Sequence, residues 1–126
     1  MTSKRPSQSA WGSGETQHFY TLTPDHVLDA IEELNIEATG RVLQMNSMEN
    51  RVYEIEIELD YIPENPSERF KIIKFYRPGR WSRDQIQDEH DFLWDLKNHE
   101  IQVIAPLKFN GQTIFKSKEG LWYSLF

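Results

Sequence analysis

The chain has 126 residues, of which 38% are hydrophobic and 13% aromatic, a composition typical of one globular domain with a modest core. Its formal net charge of −6 argues against an overall electrostatic attraction to nucleic acid, so any anion-binding surface must be local. The absence of cysteine excludes disulfides, thiolate metal sites and a cysteine nucleophile.

The amino-terminal stretch lacks the apolar segment of a signal peptide, and no apolar run approaches the roughly 20 residues that span a bilayer. We therefore expect a cytoplasmic protein with neither a membrane nor a nucleic acid as partner. Residues 1–18 are rich in Ser, Gly, Thr and Gln, with Trp11 as their single large apolar side chain. This composition predicts a disordered tail before one folded domain, residues 19–126.

The first predicted helix runs from Pro24 to about Asn35. Thr23 is a favourable N-cap residue and Pro24 suits the first helical position. Its apolar side chains recur at helical spacing and form one stripe: Val27, Leu28, Ile31 and Leu34.

A β-hairpin is predicted next, with strands at residues 41–45 and 52–59. The second strand alternates strictly between apolar and polar side chains, which is typical of a strand with one buried face. Residues 46–50 form its polar loop, and residues 60–68, with two prolines, form a longer loop.

The strand predicted at residues 69–76 carries Lys74 on the same face as Ile72. Ser82 and Gln85 then form a capping box that begins a second helix. The apolar stripe of this helix is interrupted by Glu89 and His90. We interpret His90 as a packing or hydrogen-bonding residue, because the four histidines lack the spacing of metal ligands.

The rest of the chain is predicted to be β. Residues 103–109 and 113–117 flank Asn110-Gly111, a strong hairpin signal, and residues 121–126 form a last strand. About five strands and two helices with short connections predict an α+β fold with a mainly antiparallel sheet. The sequence ends within this last apolar strand, which suggests one lobe of a larger fold.

Lys74 and Glu89 are the main candidates for chemistry. A lysine between apolar residues must reach water or bind an anion, and the helix folds back so that Glu89 can orient its ammonium group. Kinases use such a pair to hold the α- and β-phosphates of ATP. The alternative interpretation is a partly exposed lysine and a solvated glutamate with no functional link.

The hairpin loop is a weaker candidate for contacting phosphate. If Val52 is set at the valine of the kinase pattern GxGxxGxV, then Met45, Ser47 and Asn50 occupy the glycine positions, and no glycine is present. The Ser47 hydroxyl can still donate to phosphate, and Asn50 tolerates positive φ. Val52, beside Ile72, can pack on an adenine ring.

The basic and aromatic stretch at residues 77–83 offers a different interpretation. Arg77, Arg80, Trp81 and Arg83 would suit nucleic acid or a phosphorylated partner. A turn that leads into the capped helix is the interpretation we favour.

Several runs of the chain closely resemble the stress response kinase A family of bacterial serine/threonine protein kinases, whose fold is like that of aminoglycoside and choline phosphotransferases. The likeness covers roughly residues 19–126, in order and with similar spacing. The runs are Asn46-Ser47-Met48-Glu49-Asn50-Arg51-Val52-Tyr53, Lys74-Phe75-Tyr76-Arg77-Pro78-Gly79-Arg80-Trp81, Asp84-Gln85-Ile86 with Glu89-His90, and Ala105-Pro106 with Phe109-Asn110-Gly111-Gln112-Thr113.

The resemblance implies a kinase-like N-terminal lobe with a helix-C equivalent and an extra N-terminal helix. It implies ATP as the bound nucleotide and protein serine or threonine as acceptor in the complete enzyme. Lys74 would contact phosphate and Glu89 would be its partner on the helix. The loop residues Ser47, Glu49 and Asn50 would cover the phosphates, and Leu125 and Phe126 would lead into the hinge that binds the adenine edges.

The chain also departs from the family. The HGDxxxxN segment and the later metal-binding aspartate are not found in it, so the Mg²⁺ ligands and catalytic groups are expected in a second lobe. We accordingly assign neither a catalytic residue nor a metal ligand here, and expect the chain on its own to be inactive. Self-association through the exposed lobe interface is expected, and a non-catalytic interaction module with the same fold is the alternative.

Overall fold

The computed structural model describes residues 14–126, which form helices on both faces of a five-stranded sheet. The α-helices are α1 (Gly14–Tyr20), α2 (Pro24–Glu33) and α3 (Arg83–Asn98). The strands are β1 (Ala38–Met45), β2 (Arg51–Ile57), β3 (Phe70–Phe75), β4 (Phe115–Lys116) and β5 (Trp122–Leu125), with a 3₁₀ helix at Pro66–Arg69 before β3.

The strand order is β1-β2-β3-β5-β4, and every neighbouring pair is antiparallel. Short connections bring sequential strands side by side, while α3 and the segment after it carry the chain to the far edge of the sheet. The predicted α+β fold with a mainly antiparallel sheet is confirmed, and it is consistent with a kinase-like N-terminal lobe.

One face of the sheet packs against α2 and forms the main core. Tyr53, Ile55, Ile73, Phe75, Tyr123 and Leu125 point to this face and are at most 3% exposed. They meet Val27, Ala30 and Ile31 of α2, and the Tyr123 hydroxyl donates to the Ala30 carbonyl at 3.1 Å. Their alternation along β2 and β3 leaves the intervening side chains, including Lys74, on the opposite face.

The ends of α2 follow from its sequence. The Thr23 side chain accepts a hydrogen bond from the His26 backbone N–H at 3.4 Å, and His26 Nδ1 accepts from Thr23 N–H at 3.1 Å. This confirms Thr23 as the N-cap and Pro24 as the first helical residue. The helix ends at Glu33, and Asn35 turns the chain with a φ of 61°.

The second face of the sheet is covered in part by α3. The Ser82 hydroxyl accepts from Gln85 N–H at 3.1 Å, and Gln85 Oε1 accepts from Ser82 N–H at 2.9 Å, so the predicted capping box is confirmed. Ile86 packs with Tyr76 and Ile114 in a second, smaller apolar cluster. This contact places α3 beside Lys74.

The start of the fold differs from expectation. Residues 1–13 of the predicted tail lie outside the described residues, but α1 begins at Gly14, inside the predicted stretch. Phe19 is 3% exposed in the main core, and the Arg51 guanidinium lies 5.7 Å from its ring. Arg51 Nη2 also donates to the Tyr20 carbonyl at 3.3 Å. These contacts with the body of the domain anchor the helix.

The prediction of a regular strand at residues 103–109 was wrong. Pro106 has no N–H to donate to a sheet, and its carbonyl accepts a hydrogen bond from Trp94 Nε1 at 2.9 Å. Leu107 N–H donates to the Leu125 carbonyl at 2.8 Å, and Phe109 pairs with Gln112 through an isolated bridge. The segment is therefore held by α3 and β5 without forming a strand.

We predict that shortening Ile73 will destabilise the domain far more than the same change at an exposed isoleucine. Ile73→Val removes a methylene from a side chain with 0% exposure and should lower the free energy of unfolding by about 0.5–1.5 kcal/mol. Ile104, which is 76% exposed, is the matched control, and Ile104→Val should change it by less than about 0.5 kcal/mol. Urea unfolding measures both values, and equal effects would contradict this core.

Candidate functional site

The candidate site lies on the sheet face opposite α2, around Lys74. In the register of the sheet, Val52 on β2 and Ser124 on β5 are the direct cross-strand partners of Lys74. Directly opposite residues in antiparallel strands point to the same face, so these three side chains form a row across the sheet. Lys74 is thereby placed on the central strand, and its side chain is half-buried.

A cleft of about 260 Å³ opens between this face, the β1–β2 loop and α3. The structure brings four of the predicted residues into its wall, Lys74, Glu89, Glu49 and Asn50. Tyr76, Trp81, Gln85 and Ile86 complete the lining. Basic, acidic and aromatic side chains therefore converge on one concave surface.

The Lys74 ammonium lies against aromatic rings rather than against a carboxylate. Its Nζ is 5.0 Å from the centroid of the Phe126 ring and 5.6 Å from that of Tyr76, within the range of cation–π attraction. Glu89 is exposed on the same cleft, and among residues 14–126 no ion pair within 4.0 Å joins it to Lys74. The predicted partners share a cleft but are not in contact in this conformation.

The β1–β2 loop is tied to the turn between β3 and α3. Glu49 Oε1 accepts a hydrogen bond from Arg80 Nε at 2.9 Å, and the Arg80 guanidinium lies 4.4 Å from the centre of the Trp81 ring. Asn50 Oδ1 accepts from Arg77 N–H at 3.2 Å. Since the Glu49–Arg80 pair is about half exposed, it contributes at most about 1 kcal/mol to stability, but it fixes where the loop lies.

Ser47 lies apart from Lys74. It lines a neighbouring, open hollow of about 530 Å³ with Met45, Met48 and Tyr20, and its side chain is exposed. The Ser47 hydroxyl therefore does not line the cleft that contains Lys74 in this conformation.

An apolar strip runs beside Lys74 on the same sheet face. Val52 and Ile72 belong to it as predicted, and the register adds Met45, which lies directly opposite Val52 and is 41% exposed. Leu43 continues the strip along β1 and is 55% exposed. Apolar side chains at the edge of a polar cleft suit the flat face of an aromatic ligand.

The two last residues of the chain differ in position. Leu125 lies on the opposite face, with 0% exposure in the main core, so its side chain does not reach the cleft. Phe126 N–H donates to the Ile72 carbonyl at 2.7 Å and its carbonyl accepts from Ile72 N–H at 3.0 Å. The backbone groups of Phe126 are therefore bound within the sheet, while its ring contacts Lys74.

His90 forms a buried polar link behind the cleft. It is 0% exposed; Nε2 forms a hydrogen bond with the Tyr76 hydroxyl at 3.0 Å, and Nδ1 forms one with Thr113 Oγ1 at 2.6 Å. The sequence-based interpretation of His90 as a hydrogen-bonding residue is confirmed. Burial and, to a lesser extent, the positive charge of Lys74 lower the pKa of His90 to about 4, while Asp91 opposes the shift.

Tyr76 and Ser124 extend this polar region to Lys74. The pKa of Tyr76 is raised to about 12, chiefly by burial, with the nearby Ser124 hydroxyl opposing the shift and the Glu89 charge contributing to it. Tyr76 therefore keeps its proton at neutral pH. Ser124 Oγ is buried and, among the described residues, has no partner that meets hydrogen-bond geometry, so it is the polar group closest to Lys74 that is left unsatisfied.

Several residues of the site were not identified from the sequence. Continuing the alternation of β3 beyond Lys74 would have placed Tyr76 on the same face, and pairing the hairpin strands would have placed Met45 there. Trp81 and Arg80 were considered from the sequence for a different ligand, nucleic acid or a phosphorylated partner, because on a turn no periodicity indicates the direction of a side chain. Thr113 is 23 positions from His90, and only the fold brings the two together.

Within residues 14–126, no three His, Cys, Asp or Glu side chains come together as a group able to hold a metal ion. No helix in this part of the chain has both the length and the apolar character to cross a membrane.

We predict that His90 makes the protein sensitive to acid. Because its folded-state pKa lies below the ordinary value of about 6.5, the unfolded chain binds more protons between pH 6.5 and 4. The contribution of neutral His90 to the free energy of unfolding is complete above pH 6.5. It is lost as the pH falls toward 4, which lowers the stability by on the order of 2–3 kcal/mol.

Urea unfolding at pH 7 and pH 4.5 tests this prediction. His90→Gln keeps a polar side chain but does not titrate, so its stability should fall less between the two pH values than that of the unaltered protein. The control is His18→Gln, since His18 is exposed on α1. An identical pH dependence for the unaltered protein and His90→Gln would contradict the prediction.

Comparison with known proteins gives a consistent result. No protein-family model matches the chain. Over 108 residues, 86% of its length, the chain is 41% identical to stress response kinase A of Escherichia coli strain K12. It is 42% identical over the same share to stress response kinase A of Salmonella choleraesuis and to serine/threonine protein kinase RdoA of Salmonella typhimurium. The chain spans about 30% of the length of these curated relatives. The resemblance to stress response kinase A is thus confirmed for most of this chain, which is similar to part of that kinase.

Proposed function

We propose that the chain is the ATP-binding N-terminal lobe of a serine/threonine protein kinase of the stress response kinase A type. The observation that carries this proposal is the position of Lys74, on the central strand of an antiparallel sheet and in one cleft with Glu89 of α3. The names and the 41–42% identity of the relatives support it.

The phosphate end of the nucleotide would lie at Lys74. An ammonium that lies against aromatic rings keeps its donors available, and phosphate oxygens are stronger partners for it than rings are. Glu89 would orient the ammonium from α3 once the two approach. The loop with Ser47 and Asn50 would cover the phosphates, and the Glu49–Arg80 pair would hold that loop over the cleft.

The base would pack on the apolar strip of Val52, Ile72 and Met45. These side chains lie beside Lys74 on the same face, and Met45 is 41% exposed, so an adenine ring would remove apolar surface from water. Leu125 has no place in this proposal, because it points to the main core.

In the complete protein, the γ-phosphoryl group of ATP would pass to a serine or threonine of a protein substrate. Phosphoryl transfer needs metal ligands and a group that orients the acceptor hydroxyl. We assign neither to this chain, so we propose that both lie in the remainder of a longer protein and that the chain on its own does not catalyse transfer. A cytoplasmic location stays a prediction.

We predict that ATP raises the thermal unfolding temperature of the chain and that Lys74→Met removes most of this effect. At an ATP concentration ten times Kd, ligand binding adds about 1.4 kcal/mol of stability, or several degrees. The shift should be similar with and without Mg²⁺, because the metal ligands are proposed to lie elsewhere.

Lys71→Met is the matched control, since Lys71 lies on β3 and pairs with Ile55, away from the cleft face. This variant should keep the ATP-dependent shift. Loss of the shift in both variants would point to non-specific charge attraction. No shift in the unaltered protein at millimolar ATP would contradict nucleotide binding by this chain.

The alternative is an interaction module that keeps the fold without binding ATP. Three large apolar side chains at the carboxyl-terminal half of α3 and after it favour a partner surface there, Phe92 at 60%, Ile101 at 50% and Ile104 at 76% exposure. The same surface would support self-association. Stabilisation by ATP that depends on Lys74 would favour the kinase lobe, and its absence would favour the module.

A further inference from the structure

A histidine interrupts the apolar face of α3 directly after Glu89. His90 is 0% exposed, and on the same helix only Ile86 is comparably buried. An apolar side chain would fill such a position without the need for partners, whereas a buried imidazole requires them. The two partners come from different parts of the fold.

The hydrogen bonds of His90 join three elements. Tyr76 follows β3, the strand that carries Lys74, and its hydroxyl bonds Nε2 at 3.0 Å. Thr113 precedes β4 and its hydroxyl bonds Nδ1 at 2.6 Å. The ring also meets Phe126 edge-on, with centroids 6.1 Å apart. A neutral imidazole has one donor and one acceptor, and both hydroxyls can take either role, so either tautomer satisfies the link.

These bonds are directional, unlike the packing of Ile86. Each residue of an α-helix is rotated by about 100° from the one before it, so the rotation of α3 that satisfies His90 also fixes the direction of Glu89. A different rotation or a slide of α3 would take the buried imidazole of His90 away from both of these partners. Other rotations and positions of α3 are therefore disfavoured by the loss of these hydrogen bonds.

We propose that His90 is a positioning residue that holds Glu89 at the cleft facing Lys74. It acts through its hydrogen bonds to Tyr76 and Thr113, and it does not itself contact the nucleotide. The role of His90 in ATP binding rests on the proposed function, whereas the position of Glu89 can be measured without ATP.

Thr113→Val is the most selective variant for testing the link. Valine has the shape of threonine without the hydroxyl, and Thr113 does not line the cleft. Thr113→Ser restores the hydroxyl and serves as the rescue. Tyr123→Phe is the matched control for the loss of a buried hydroxyl bond, because Tyr123 bonds Ala30 in the main core, on the other face of the sheet.

The first measurement is zero-length cross-linking of Lys74 to Glu89 with a carbodiimide, quantified by mass spectrometry of the joined peptides. The reagent takes up the water lost as the amide forms, so only groups that come into contact are joined. Thr113→Val should lower the yield at least threefold, while Thr113→Ser and Tyr123→Phe keep it. An unchanged yield in Thr113→Val would overturn the proposal.

The second measurement is a double-mutant cycle on ATP affinity by calorimetry. Thr113→Val should weaken ATP binding three- to tenfold in the unaltered chain and less than twofold when Glu89→Gln is already present. Equal weakening in both backgrounds would mean that the link does not act through Glu89, and would overturn the proposal.

The two measurements separate the inference from the function on which it rests. If ATP does not bind and the cross-link still depends on Thr113, the proposed function fails while the positioning role stands. If ATP binds in a manner that depends on Lys74 and the cross-link ignores Thr113, the function stands and the positioning role fails.

Discussion

The fold is built around a charged side chain on the central strand of its sheet. Lys74 lies between Val52 on one neighbouring strand and the buried Ser124 on the other. A half-buried cation needs an anion, a dipole or an aromatic face to replace the water it loses. In this conformation the rings of Tyr76 and Phe126 take that role. Because rings bind an ammonium more weakly than phosphate does, the arrangement favours an incoming anion.

The two faces of the sheet are stabilised by different means. The face under α2 is an extended apolar core, in which the Tyr123 hydroxyl donates to the Ala30 carbonyl. The face under α3 has a small apolar cluster, and the hydrogen bonds of His90 favour one orientation of α3 on this face. Apolar packing tolerates small shifts, while satisfied buried polar groups select one arrangement. Under the proposed function, the face under α2 would support the strand that carries Lys74, and the face under α3 would present Glu89.

Local patterns in the sequence predicted a large part of this structure. The alternation of β2 and β3 placed Lys74, Ile72 and Val52 on one face, and the capping residues Thr23 and Ser82 located the starts of α2 and α3. These features depend on neighbours within a few residues. The same alternation, carried to the end of the chain, would have placed Leu125 in the core with Ile73, its cross-strand partner.

Other features depend on contacts that no local pattern contains. The bond from Trp94 to the Pro106 carbonyl joins residues 12 positions apart and ties residues 103–109 to α3. The Glu49–Arg80 pair spans 31 positions and redirects both side chains, one predicted as a nucleotide contact and the other as part of a turn. Lys74 and Glu89 illustrate the same limit, because sequence spacing predicted a shared cleft but not the separation of their charges.

An NMR titration of the isotopically labelled chain tests most directly whether the face of the sheet around Lys74 binds ATP. We expect ATP to shift the backbone amide signals of Val52, Ile72 and Lys74 and of the loop at residues 46–50. The signals of α2, on the other face, should stay in place. Shifts confined to α2 or to residues 99–104, or no shifts at millimolar ATP, would contradict ATP binding at this face.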